Sequence, residues 1–162
     1  MVVLGTPAEE GGGGKIKLIE NGCLDEFDFC MMVHPGPEIS ATAVMLAAAE
    51  YTATYHGKAA HAAAYPWEGV NALDAAVQCY SSLSMLRQQM KPTWRLHGVI
   101  TKGGVKPNII PEEAEVNYLF RAPTMKELEV LTSKAEACMH AAAEATGKNY
   151  VFYFWFFFKL FC

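Results

Sequence analysis

The sequence predicts two unlike parts: a partial parallel-sheet α/β domain over residues 1–48, then an α+β ferredoxin-like sandwich (βαββαβ) over 49–150. A divergent apolar tail covers 151–162. Three observations lead there. Unalternating apolar runs flank a helical stretch in the first 36 residues, a strict apolar–polar alternation begins at Tyr51, and two amphipathic helical stretches then separate further strand-like runs.

Taken in order, Val2 to Leu4 and Phe27 to Val33 have the continuous apolar character of strands covered on both faces, with Lys15 to Asn21 as helix between them. Tyr51, Ala53 and Tyr55 alternate with Thr52, Thr54 and His56, the period of a strand with one buried face. Val70, Leu73, Val77, Tyr80, Leu83, Leu86 and Met90 recur three or four apart and predict a helix with one apolar stripe, ending before Pro92. Trp94 to Thr101 reads as the second strand of the sandwich and Gly103-Gly104 as its connection. Ala114, Val116, Tyr118 and Phe120 mark the inward face of the third.

The second helix carries explicit signals. Thr124 and Glu127 have capping-box spacing, Leu128, Leu131, Ala135, Cys138 and Ala142 line one face, and Gly147 supplies a stop. The tail from Asn149 would be the fourth strand. Its apolar run, Tyr150 to Phe158, is about half the length that a membrane-spanning helix needs.

With 162 residues and 52% hydrophobic content the chain can bury a core. A formal charge of -4, with 13 scattered Lys and Arg, argues against nucleic-acid binding. The five cysteines, Cys23, Cys30, Cys79, Cys138 and Cys162, form no CxxC pair, and their odd number argues against a closed disulfide framework. No basic segment followed by an apolar stretch and a cleavage site opens the chain, so the expectation is a cytoplasmic protein with no membrane partner.

Several residues suggest chemistry. Thr6-Pro7-Ala8-Glu9-Glu10 followed by Gly11 to Gly14 sets two carboxylates at an expected strand end, where open α/β sheets build their sites. Adjacent acids there need a cation or a proton between them; alone, they read more simply as a solvated turn. A phosphate cradle is excluded because Gly14-Lys15 runs into Ile16 rather than Ser or Thr, and Glu9 holds the earlier glycine position. His34 ends the next apolar run before Pro35, at the same expected edge, and an imidazole beside carboxylates suits zinc or manganese. Further on, His61 sits among small residues in the loop Gly57 to Pro66. Asn108 and Arg121 offer a carboxamide and a guanidinium fork suited to a carboxylate. Arg121 reads equally well as an ion-pair partner of Glu115 or a neighbour.

Thr6 to Gly14, His34-Pro35, Gly57 to Pro66 with Asn71, and Gly103 to Arg121 occur in a familiar order. Over residues 2–148 the chain resembles the dinuclear-zinc amidohydrolase and metallopeptidase family of aminoacylases and carboxypeptidases, in particular its dipeptidases for small dipeptides with a basic carboxy-terminal residue. The resemblance implies that residues 1–48 are part of a catalytic domain and that the sandwich is a lid and dimerisation domain. It implies Glu9 as general base and Glu10 and His34 as ligands in a two-zinc centre, with manganese the alternative ion. His61 would reach a neighbouring subunit's site and support the carbonyl oxygen. Asn108, Arg121 and, more weakly, Asn71 would hold the dipeptide's terminal carboxylate.

The family supplies further metal ligands from strands before Val2 and a last His after the lid, and the tail beyond Lys148 departs from its pattern. The resemblance therefore implies a zinc dipeptidase fragment, homodimeric through its lid and inactive alone. The alternative is a non-catalytic dimerisation module that pairs with full-length subunits.

Overall fold

The alternation that starts at Tyr51 becomes the central strand of a four-stranded sheet. The computed structural model describes residues 1–8, 12–37, 39, 41, 46–147 and 150–158, the last stretch as backbone. Its elements in chain order are α1 (Gly14–Glu20), β1 (Ala47–His56), β2 (Ala60–His61), α2 (Ala72–Leu86), β3 (Arg95–Lys102), β4 (Ile109–Ile110), β5 (Glu113–Ala122), α3 (Met125–Ala145) and β6 (Tyr150–Phe158). Residues Met1–Val44 and Met45–Cys162 form two separate units.

In the second unit the strands lie in the order β3-β5-β1-β6, each antiparallel to its neighbour, with a separate two-stranded ribbon, β2-β4. The β-α-β-β-α-β order expected from the sequence is present, and the apolar tail forms its fourth strand. The ladder between β1 and β5 runs from Ala47 opposite Ala122 to His56 opposite Glu113. Every second residue of each strand faces the helices: Ala49, Tyr51, Ala53 and Tyr55 on β1, and Ala114, Val116, Tyr118 and Phe120 on β5, all buried.

Burying tyrosine leaves a hydroxyl to satisfy. Tyr51 Oη donates to Glu136 Oε1 (3.0 Å) and Tyr55 Oη to the Met139 carbonyl (3.3 Å), both on α3. The Tyr118 hydroxyl is buried without a hydrogen-bond partner among the described residues.

The stripe expected on α2 is turned. Leu83 is buried, but the other fully buried positions are Ala72, Ala75, Ala76 and Cys79, while Val77 is 48% and Tyr80 39% exposed. Large rings project from the sheet and fill the space between the layers, so the helix docks through small residues and its bulkier side chains turn outward. Burial also pushes the Cys79 thiol up to about 11, outweighing a side-chain interaction with Tyr55 that acts the other way.

The α3 expectations hold more closely. Thr124 Oγ1 accepts from the Glu127 N–H (3.2 Å), and Gly147 follows the helix at a φ of 107°, the left-handed stop that favours glycine. Only half of the capping box forms. The Glu127 carboxylate accepts instead from Lys91 Nζ and from Trp94 Nε1 (2.7 Å), tying the approach to β3 to the start of α3.

The first unit departs from expectation. Its helix is present as α1, but Val2 to Leu4 and Phe27 to Val33 form no strand; Val3 is 85% and Val33 96% exposed. A parallel strand needs a hydrogen-bonded neighbour on each side and cover on both faces, and the described residues of this unit offer neither.

Glu127 provides a pH test. Its carboxyl is held below the ordinary glutamate value by the hydrogen bond from Lys91 and then by that from Trp94. A lowered carboxyl favours the folded state above the ordinary value and loses that contribution as pH falls through the lowered one. The stability difference between wild type and Glu127→Gln, measured by urea unfolding, is expected to be largest near neutral pH and to shrink once pH falls below the ordinary value of 4.5.

Candidate functional site

Loops at the His56 and Glu113 end of the sheet gather most of the site residues expected in the sandwich. Gly57 opens this region: its N–H donates to the Glu112 carbonyl (2.8 Å), and a Cβ there would lie 2.0 Å from the Val70 carbonyl oxygen. Only glycine lets the strand end pass so close to that backbone. Lys58 and Val70 then exchange backbone hydrogen bonds of 2.8 and 3.0 Å, and β2 pairs with β4, Ala60 opposite Ile110 and His61 opposite Ile109. The Ala62 N–H donates to the Asn108 carbonyl (3.0 Å), so His61 and Asn108 are carried on adjoining segments.

His61 is exposed, yet its ring is fixed. Its Nδ1 accepts from the backbone N–H groups of Ala63 and Ala64, each at 3.2 Å. Two donors on Nδ1 assign the proton of the neutral ring to Nε2, so the imidazole presents an N–H outward.

Asn71 has a structural task. Its Oδ1 accepts from the N–H groups of Leu73 (2.9 Å) and Asp74 (3.3 Å), capping α2. Its position just before the helix, with an acid three residues on, is the signal that would have revealed this. Beside it lies a cavity of about 410 Å³ whose walls include Leu73, Val105, Lys106, Ile110 and Pro111. That is large enough for a small molecule. Lys106, which composition and spacing did not single out, is its cationic wall.

Arg121 is not brought to this end. It is exposed near the far end of β5, eight positions from Glu113, or roughly 25 Å at strand spacing. Nor does it pair with Glu115, which lies six residues away on the same strand and takes Lys102 (3.7 Å) and Thr101 Oγ1 (2.7 Å) instead. Arg121 makes no ion pair among the described residues. Its neighbours in register are Arg95 on β3 and Ala48 on β1.

In the first unit Glu9 and Glu10 lie outside the described residues. His34 is exposed, and its Nδ1 donates to the Pro35 carbonyl (2.7 Å), which in the neutral ring leaves the lone pair on Nε2. A backbone acceptor on the other ring nitrogen is the usual support of a metal-binding imidazole. No three His, Cys, Asp or Glu side chains among the described residues converge as a metal cage. No helix among them is long and apolar enough to cross a membrane.

Residues 47–147 match the family model of the peptidase dimerisation domain. The chain belongs to that family. Among curated relatives of this dimerisation-domain chain, it is 64% identical over 147 residues to an Xaa-Arg dipeptidase of Mus musculus, covering 91% of this chain and 34% of the relative. It is 61% identical to that of Homo sapiens, with the same coverage. A p-aminobenzoyl-glutamate hydrolase component of Escherichia coli (strain K12) is 34% identical over 148 residues, 88% of this chain and 30% of the relative. The chain thus spans about a third of the length of these relatives. Among solved structures, an aminobenzoyl-glutamate utilization protein from Klebsiella pneumoniae shares the fold with a TM-score of 0.66 at 21% identity, over 86% of this chain and 36% of that one.

The Asn71 geometry yields a test that separates capping from ligand contact. Asn71→Ala is expected to lower stability by about 1 kcal/mol and Asn71→Ser, which retains a capping oxygen, by much less, in urea unfolding of the chain without ligand.

Proposed function

We propose that this chain is the lid and dimerisation portion, with part of the catalytic portion, of a metal-dependent dipeptidase for small dipeptides with a basic carboxy-terminal residue, and that it assembles as a homodimer. The observation that carries this reading is the division of the site. His61 and Asn108 lie at one end of the sheet and Arg121 at the other, while a dipeptide spans only about 7 Å. One copy cannot close both ends on one substrate.

The edge strand supplies a way to join them. No other strand among the described residues pairs with the outer side of β3, and Val77 and Tyr80 on α2 and Ile100 on β3 leave apolar surface exposed around that edge. A free edge beside apolar side chains favours pairing with a second copy. Two β3 strands joined antiparallel about a twofold axis put the Lys102 end of one copy beside the Arg95 end of the other. The loops bearing His61 and Asn108 then approach the partner's Arg121.

In that arrangement Arg121 holds the terminal carboxylate through its planar fork. The second copy's His61 offers Nε2–H to the scissile carbonyl oxygen as charge builds there, and its Asn108 adds a carboxamide contact. Asn71 belongs to the same loop cluster, and its capping bonds leave the carboxamide nitrogen for a ligand. Glu9 is assigned as general base, and Glu10 and His34 as ligands to zinc or manganese. When bound, such an ion lowers the pKa of its water and polarises the carbonyl. Because this set offers fewer ligands than a two-metal centre needs, the chain alone is proposed to be inactive.

The test uses the purified chain with added zinc. Sedimentation is expected to give twice the chain mass for wild type and a single chain for Ile100→Glu, with no lysine released from β-alanyl-lysine by either. A monomeric wild type would overturn the two-copy reading, and zinc-dependent release of lysine would overturn the assignment as inactive alone.

A further inference from the structure

We propose that Arg95 is a second guanidinium of the carboxylate site, a specificity residue acting beside Arg121. Arg95 and Arg121 are directly opposed on neighbouring antiparallel strands, so both side chains leave the same face of the sheet. That face is the one away from the helices: Leu96 beside Arg95, and Phe120 and Ala122 beside Arg121, are buried on the other side. Like charges directly opposed across two strands are destabilising, and the cost is relieved when an anion lies between them.

The described surroundings supply no such anion. On its other side Arg121 faces Ala48, a side chain too small to fill the space beside a guanidinium. Glu50 sits diagonally, opposite Leu119, but its Oε1 accepts from Asn117 Nδ2 (2.9 Å), and it makes no ion pair with either arginine. His97 lies two residues beyond Arg95 on the same face and adds a further nitrogen donor or acceptor rather than a countercharge.

Arg95 is also held in place. Its Nη1 donates to the carbonyls of Pro92 (2.6 Å) and Trp94 (2.7 Å). These contacts account for one nitrogen only, and no described contact engages Nη2 or Nε. A guanidinium anchored at one nitrogen keeps donors for an incoming carboxylate at little further entropic cost. Two such groups read a carboxylate against its neutral amide, because removing the charge leaves the repulsion between them unrelieved.

This proposal rests on the reading above in one respect, that Arg121 takes a carboxylate, and the experiment separates the two. N-acetyl-lysine and its carboxamide are titrated calorimetrically into the full chain, as wild type, Arg121→Gln, Arg95→Gln and Arg95→Lys. Wild type is expected to bind the acid at least tenfold more tightly than the amide. Arg121→Gln is expected to abolish that preference, Arg95→Gln to weaken acid binding about tenfold without changing amide binding, and Arg95→Lys to fall between. If Arg95→Gln binds like wild type while Arg121→Gln does not, Arg95 is excluded and Arg121 stands. If neither substitution matters, or wild type shows no preference, the carboxylate reading of Arg121 fails, and this proposal with it. Should Arg95→Gln fail to fold, Arg95→Lys decides: weaker acid binding supports the second guanidinium, and wild-type affinity overturns it.

Discussion

The antiparallel ladder between β1 and β5 is the constraint on which the rest of the second unit depends. Its register puts Tyr51, Tyr55, Tyr118 and Phe120 on one face, and a slip of one residue would carry all of them to the other. The same register fixes the two ends of the sheet. His56 and Glu113 lead into the loops of His61 and Asn108, whereas Ala48 and Arg121 mark the far end, beside Arg95. The separation between the His61 and Arg121 ends, on which the proposed two-copy site rests, is therefore set by strand length.

Packing against that ladder explains what is exposed. Aromatic rings fill the space between sheet and helices, with the hydroxyls of Tyr51 and Tyr55 tied to α3, so α2 closes the layer with alanines and a cysteine. The residues displaced from the core, Val77 and Tyr80, stand on the helix that also contacts edge strand β3. The exposed apolar surface proposed for dimerisation thus follows from the way the core is filled.

Much of this was legible in the sequence where one signal dominated. The alternation through Tyr51 and through Ala114 to Phe120 specified β1 and β5, and Thr124 and Gly147 bounded α3, because period-2 burial and helix caps are local properties. The buried face of α2 was not legible, since large apolar side chains outrank alanine in any pattern while the ring-filled layer admits only small ones. The strands expected near Val2 and Phe27 needed neighbours that hydrophobic pattern alone cannot provide. Motif order suggested His61, Asn108 and Arg121 as candidate site residues but not that they occupy opposite ends of the sheet. The ring state of His61 depends on the N–H groups of Ala63 and Ala64, and the opposition of Arg95 to Arg121 exists only in the register.

Whether two copies join through their β3 edges, so that the loops of one meet the Arg121 end of the other, is decided by isotope-filtered NMR on a mixture of labelled and unlabelled chains. Intermolecular contacts are expected along Arg95–Lys102 in an antiparallel pattern, with the amide of Arg95 near protons around Lys102 of the second copy. A dimer whose intermolecular contacts avoid β3, or run along it in parallel, would refute the shared site.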